Sequence, residues 1–233
     1  MHRSVTFVLC AALAVTGIGL TMGPAGAQAG AGDVAKFCAG RLDANGAEGK
    51  AANLAIMNKL VTSAPAAVSQ QMTKLRDAYK KKGEKLFDGA EGFALLAPVD
   101  AWVYDNCPGT SVPVTAMDYS YEGVPASLQP GVTKFKMTNA APEEEHMMAI
   151  IKLKPAAEGR DVSELFALPE KKQAKYFDES SSAFMEAPAG EVAYSPIDLE
   201  SGTYAYVCFL PVGGDHSGAP HFTKGMYGSF TVS

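Results

Sequence analysis

Apolar residues recur at helical spacing from residue 33 to 107 and alternate from 114 onward, so the chain reads as a helical half followed by a β half. Val34, Phe37, Cys38 and Leu42 form a first stripe after Asp33, a candidate cap. Leu54, Met57, Leu60 and Val61 form a second, broken at Ser63 to Pro65. Val68, Met72, Leu75 and Tyr79 form a third, ended by three lysines and Gly83. Phe93, Leu96, Val99, Trp102 and Val103 form a fourth, in which Pro98 predicts a kink or a new start. Short loops between such stripes predict a small antiparallel bundle over residues 30–107. Residues 108–115 hold two prolines and a glycine where the period changes, and read as a linker.

Beyond it, strands are expected at 116–121, 132–138, 146–153, 191–196, 202–209 and 226–232, where β-branched and aromatic residues lie between Gly, Pro and Asn punctuation. Residues 161–168 return to helical spacing after Asp161. Residues 169–179 are polar, and the serines 180–182 suggest a mobile segment. The expected fold is α+β in two domains: a helical bundle, then a β-sandwich over 116–233 with a helical insertion.

The first residues stand apart. His2 and Arg3 precede an apolar run over 5–20, and small residues follow to Ala27 and Ala29. That order reads as a secretory signal peptide over residues 1–29, cleaved near Ala27 to Ala29, and not as a membrane anchor. The mature protein is then expected to be secreted or extracytoplasmic, without a membrane span. A formal charge of −5 gives no basic face for nucleic acid. Phosphate-binding glycine loops, a Gly-x-Ser-x-Gly elbow and a His-Glu-x-x-His helix are all missing, so the usual enzyme motifs offer nothing.

Secretion sharpens the cysteines. Cys10 leaves with the leader, and Cys38, Cys107 and Cys208 remain. Cys38 lies in the first helical stripe and Cys107 at the end of the last, so a disulfide between them would staple the bundle. A redox-active pair is the alternative, though no Cys-x-x-Cys spacing supports it. Cys208 is left over, and an unpaired thiol in an oxidising compartment needs a reason.

Cys208 closes an expected strand, His221 follows a Gly- and Pro-rich loop, and Met226 opens the next strand. A thiolate, an imidazole and a thioether in that order can converge on one ion. A second imidazole would come from His146, at the start of its own strand. His216, inside the loop, is the reserve ligand. Thiolate and thioether favour Cu(I), and imidazole suits either copper oxidation state.

These segments resemble the cupredoxins, the blue-copper family. The likeness rests on Tyr204-Ala205-Tyr206-Val207-Cys208, on His221-Phe222-Thr223-Lys224-Gly225-Met226, and on Asn139 followed by His146 on a strand. It covers about half of the chain, from Met117 onward. The Cys208-to-His221 loop is longer than in small cupredoxins, and the insertion over 155–190 is an addition to them. The resemblance implies a Greek-key sandwich with one type 1 copper ion held by His146, Cys208 and His221, with Met226 axial. Phe37-Cys38 and Asn106-Cys107 are similar to the paired cysteines of secreted bacterial proteins that join a short helical domain to a cupredoxin-like one.

The expected function is one-electron transfer and not catalysis. Three histidines beyond residue 29 are too few for the additional copper centres of a multicopper oxidase. A copper carrier or sequestering protein, helped by Met147 and Met148, and a metal-free protein-binding module are the alternatives. Nine Lys or Arg against sixteen Asp or Glu from residue 109 onward favour a basic redox partner. Pro211, Val212, Gly213, Gly214, Pro220 and Phe222 are expected to form its docking patch. The acidic run Glu143 to Glu145 reads as a solvated loop.

Overall fold

In the computed structural model, residues 31–44, 49–87, 90–213 and 218–233 are described. The expected leader and His216 lie outside the described residues.

The bundle comprises α1 (Ala31–Asp43), α2 (Gly49–Ser63), α3 (Ser69–Lys82) and α4 (Ala90–Asn106), with a 3₁₀ turn at Gly83–Phe87. Met72, Leu75 and Tyr79 lie on one buried stripe of α3, and three lysines occupy its last turn, where cations suit the helix dipole. Phe37, Leu60, Leu86, Val99 and Val103 complete the core with them. α4 runs through Pro98 as one helix. Pro98 and Ala94, whose carbonyl loses its amide partner, both lie on the exposed side, where water can replace the bond. Cys38 and Cys107 form a disulfide from α1 to the residue after α4. Arg41 and Asp100 add a buried bidentate ion pair between the same helices, at 2.6 and 2.8 Å.

Among the described residues, nine strands follow, in two sheets. They are β1 (Thr110–Met117), β2 (Ser120–Glu122), β3 (Ser127–Leu128), β4 (Gly131–Asn139), β5 (His146–Leu153), β6 (Phe177–Ala187), β7 (Val192–Leu199), β8 (Gly202–Val207) and β9 (Tyr227–Val232). One sheet has the order β2-β1-β4-β7, and the other β3-β9-β8-β5-β6. β1 is parallel to β4, β3 is parallel to β9, and the other pairs are antiparallel. Val112, Val114, Phe135 and Met137 of the first sheet meet Met148, Ile150, Tyr204 and Phe230 of the second in one core.

The central strands of the second sheet, β5 and β8, are buried on both faces. Ala149, Ile151, Ala205 and Val207 pack outward against Val162, Leu165 and Phe166 of α5 (Val162–Phe166). This explains the unbroken apolar run of β5, which period-2 alternation alone does not. Asp161 caps α5 by accepting the Ser163 N–H at 2.7 Å. A four-residue α6 (Glu170–Gln173) completes the insertion.

Three expectations change. Residues 110–115 are part of β1 and not a linker: Val112 and Val114 alternate into the core, and only Cys107, Pro108 and Gly109 separate helix from strand. The expected strand at 116–121 is split by a turn in which Tyr119 takes φ 61°. The serines 180–182 lie inside β6, where Ser182 pairs with Ile151 and the two serines before it sit in a break of register, because Ala183, Met185 and Ala187 carry the strand into the core.

The bundle rests on the outer face of the first sheet. Lys134 of β4 is buried there and donates from Nζ to the Tyr104 and Cys107 carbonyls at the end of α4, at 2.7 and 2.6 Å. A lysine there places its charge on the negative end of the helix dipole. Tyr104 and Tyr194 meet beside it, ring centroids 5.5 Å apart.

Candidate metal centre

The residues of interest meet at one end of the sandwich, where β4, β5, β8 and β9 begin or end. Asn139 closes β4 and is fully buried. Its amide donates to the Glu144 and Ala187 carbonyls at 2.8 and 2.9 Å, and its side-chain oxygen accepts the Ala141 N–H at 3.0 Å. Both ends of the 140–145 loop are therefore tied to one side chain, which fixes where β5 starts. His146 is its first residue.

Cys208 follows β8. Its N–H donates to the Met226 carbonyl, and its carbonyl accepts the Phe222 N–H, both at 3.0 Å. His221 opens a 3₁₀ turn, His221–Lys224, that ends at Gly225 with φ 109°. That left-handed residue reverses the chain and sends Met226 back into the core, which is the reason for a glycine before the methionine. The Met226 N–H donates to the His221 carbonyl at 3.3 Å. Main-chain bonds thus lock Cys208, His221 and Met226 to one another.

The length of the Cys208-to-His221 loop is absorbed in a stem. The His221 N–H donates to the Leu210 carbonyl at 2.8 Å, and the Val212 N–H to the Ala219 carbonyl at 3.1 Å. Pro211 and Pro220 bridge between them. Gly218 permits this closure, since a Cβ there would lie 2.1 Å from the Val212 carbonyl oxygen. The stem delivers His221 to the centre, whatever the path of the loop tip.

His146 Nδ1 and His221 Nδ1 lie 3.1 Å apart, and Cys208 Sγ lies 3.4 Å from His221 Nδ1. The three ligand atoms fall within 4.8 Å of one another, and all three residues are buried. Two nitrogens each about 2 Å from one ion must sit within about 4 Å of each other, a condition this pair meets. Met226 is fully buried in the same core cluster as Cys208.

The surroundings suit a cation. Burial pushes the Cys208 thiol up, while the Met147 and Leu210 N–H groups pull it back. The Met147 N–H is 3.5 Å from the sulfur. The Tyr121 hydroxyl donates to the Met147 carbonyl. A thiolate here would be held by these amides yet lack a full compensating charge, and a metal cation would supply it. The two Nε2 atoms have no hydrogen-bond partner among the described residues.

Burial, aided by the facing His221, holds His146 down to about 4, and burial holds His221 below its ordinary value. The unfolded chain takes up these protons near pH 6.5. The unfolded state therefore binds more protons as pH falls from about 6.5 to about 4, and the metal-free fold loses stability through that window. Urea midpoints measured across it are expected to fall. A flat midpoint would contradict burial of the pair.

Sequence reasoning passed over the cover of His221. Glu144, read as a solvated acid, folds over the ring, with Oε2 3.7 Å from His221 Nε2. Its oxygens accept the Gly213 N–H at 3.1 and 3.3 Å, and Oε1 accepts the Tyr119 hydroxyl at 3.4 Å. The Tyr119 ring stands edge-on to His221, centroids 5.0 Å apart. The available signals were an acid two residues before His146 and an aromatic at a turn. Phe222, expected in a docking patch, is instead buried among Phe166, Phe209 and the rest of the insertion's apolar cluster.

No family model matches the chain, and no curated protein does. Similar solved structures include a dithionite-reduced auracyanin from Roseiflexus castenholzii, at 16% identity and a TM-score of 0.36 over 54% of this chain and 98% of that one. Auracyanin B is 21% identical at a TM-score of 0.36, over 55% of this chain and 91% of that one. An azurin from Methylomonas sp. strain J is 18% identical at a TM-score of 0.33, over 54% and 99%.

Proposed function

We propose that this chain is a cupredoxin-like protein that binds one copper ion through His146, Cys208 and His221, with Met226 as the weak fourth ligand, and carries single electrons. The supporting observation is the convergence of two imidazole Nδ1 atoms and one thiol sulfur within 4.8 Å in a fully buried setting. Bound copper would supply the Cu(I)/Cu(II) couple. The chain's own part is to hold the donors still. Asn139 fixes the loop before His146, the stem fixes His221, and Gly225 fixes Met226, so either oxidation state meets one rigid frame. Amide donors at the Cys208 sulfur withdraw charge from the thiolate and tune the couple.

The separate cores of bundle and sandwich support two domains, a helical one followed by a Greek-key sandwich. The Cys38–Cys107 disulfide supports an oxidising, extracytoplasmic setting. No helix among the described residues is long and apolar enough to cross a membrane. The acidic β half favours a basic redox protein as partner.

Titration of the mature protein with Cu(II) tests the reading. One equivalent should produce an intense visible thiolate-to-copper band with reversible voltammetry. His221→Ala should remove the band and His216→Ala should keep it. Absence of the band in the wild type would sink the proposal, and loss of it in His216→Ala would transfer the role to His216.

Glu144 gives a finer test. A carboxylate beside the His221 Nε2–H makes the imidazole a stronger donor and favours the oxidised ion. Glu144→Gln should raise the reduction potential by tens of millivolts, where about 59 mV is tenfold in a one-electron equilibrium. An unchanged or lowered potential would show that the carboxylate does not act on the ligand.

A further inference from the structure

The bundle contains a cavity that the metal centre does not use. It has a volume of about 420 Å³ and lies among α2, α3, α4 and the 3₁₀ turn, with residues 182–184 of β6 along one side. Its walls are largely apolar, with Met57, Leu60, Met72, Leu75, Phe93 and Leu96 among them. Pockets that hold small organic molecules are typically about 300 to 1,000 Å³, mostly apolar, with a few placed polar groups.

Two observations make this more than loose packing. The first is the Tyr79 hydroxyl. Tyr79 lines the cavity and is 2% exposed; the Asn53 amide on the same wall can donate to its oxygen, but its own O–H has no acceptor among the described residues. A buried hydroxyl left without a partner is disfavoured, and such groups in native proteins are generally satisfied by something. The second is volume against polarity. The space is half open to solvent, yet its largely apolar walls offer the water inside few hydrogen-bond partners.

The charge on the walls selects the occupant. Arg41 reaches the cavity, but its Nε and Nη2 are engaged by Asp100 in a bidentate pair that carries no net charge. Glu84 lines another part and would repel an anion. We infer that this cavity is a binding site for an uncharged amphiphile: an apolar body among the Met, Leu and Phe side chains, and one oxygen that accepts a hydrogen bond from Tyr79. Phe184 is 57% exposed and lines the β6 side, where the amphiphile's apolar end can cover it. The inference does not depend on copper.

The test uses the mature, disulfide-bonded protein without metal. N-phenyl-1-naphthylamine, an uncharged dye that brightens in apolar sites, should bind saturably with one dye per chain. 1-Decanol should displace it at least about tenfold better than decanoate, whose charge the site does not match. Tyr79→Phe should weaken decanol about threefold to tenfold, the range of one hydrogen bond, and leave the dye's affinity unchanged. Leu75→Trp should fill the space and abolish dye binding, with helical circular dichroism as the check on folding. If that variant misfolds, Met57→Trp, on another wall, replaces it. Absence of saturable dye binding would overturn the inference. So would equal displacement by decanol and decanoate, full decanol affinity in Tyr79→Phe, or dye binding that survives a folded tryptophan variant.

Discussion

Replacement of Cys208 by serine is expected to abolish the visible thiolate-to-copper band and to weaken Cu(I) binding by more than about a hundredfold. The band needs a sulfur-to-metal bond, and a serine hydroxyl is a hard, neutral donor that neither supplies one nor suits Cu(I). Losses for groups that only orient a ligand reach about 10- to 100-fold, so removing a ligand should exceed them. The fold should survive. The main-chain bonds of residue 208 to Met226 and Phe222 do not involve its side chain. The Met147 N–H, 3.5 Å from the sulfur, can donate to a hydroxyl in its place. The cost to the metal-free protein should therefore stay within the roughly 1–3 kcal/mol of an imperfectly satisfied buried hydroxyl. The decisive readings are the visible spectrum and the denaturant midpoint of the metal-free variant. A band that persists would remove Cys208 from the centre. A collapsed fold would instead make it a packing residue.

What the sequence revealed, and what it hid, follows from the range of the interactions involved. The helical stripes were legible because each is a local period: Met72, Leu75 and Tyr79 are buried on α3 where the spacing places them. β5, His146–Leu153, was legible because a buried strand carries an unbroken apolar run, here from Met147 to Ile151. β6 was hidden because Asp178 and the serines at its start lie in a strand at the edge of its sheet, where polar residues are tolerated and no alternation is enforced. The first strand was mistaken for a linker because Pro113 and Gly109 resemble punctuation. Pro113 is tolerated at an exposed position of the strand, while its neighbours Val112 and Val114 are buried.

The centre divides in the same way. The order of Cys208, His221 and Met226 is local, and it pointed to their convergence. His146 was nominated by its chemistry and by its place after Asn139 at the start of a strand, and the structure places its Nδ1 3.1 Å from that of His221 across 75 residues of chain. Glu144 over His221 was not legible, since its contact with the Gly213 N–H spans 69 residues and leaves no periodic trace. The choice of His221 over His216 rested on its spacing to Met226 alone. The stem that favours His221 is made by main-chain bonds between Leu210 and His221 and between Val212 and Ala219, which any residues of suitable size could form.

In the bundle, the largest expected effect of one substitution comes from Asp100→Ala, at about 3–5 kcal/mol of lost stability. Arg41 and Asp100 are 7% and 2% exposed, and the pair is bidentate. Removing the carboxylate leaves a guanidinium buried without its counter-charge, and that orphaned charge, more than a lost attraction, sets the size of the effect. The disulfide will not mask it. Closing a loop of 69 residues raises the free energy of the unfolded chain by roughly 4 kcal/mol in the chain-entropy model, equally for both proteins. A second variant separates the two explanations. Arg41→Met combined with Asp100→Leu removes both charges and keeps apolar volume, so it should recover most of the loss. Urea unfolding followed by helical circular dichroism, with the disulfide intact, provides the comparison. If the double variant is as unstable as Asp100→Ala, the pair contributes through its mutual attraction and geometry, and the orphaned-charge account fails. Recovery would mean that the pair fixes which faces of α1 and α4 meet while apolar burial supplies the stability.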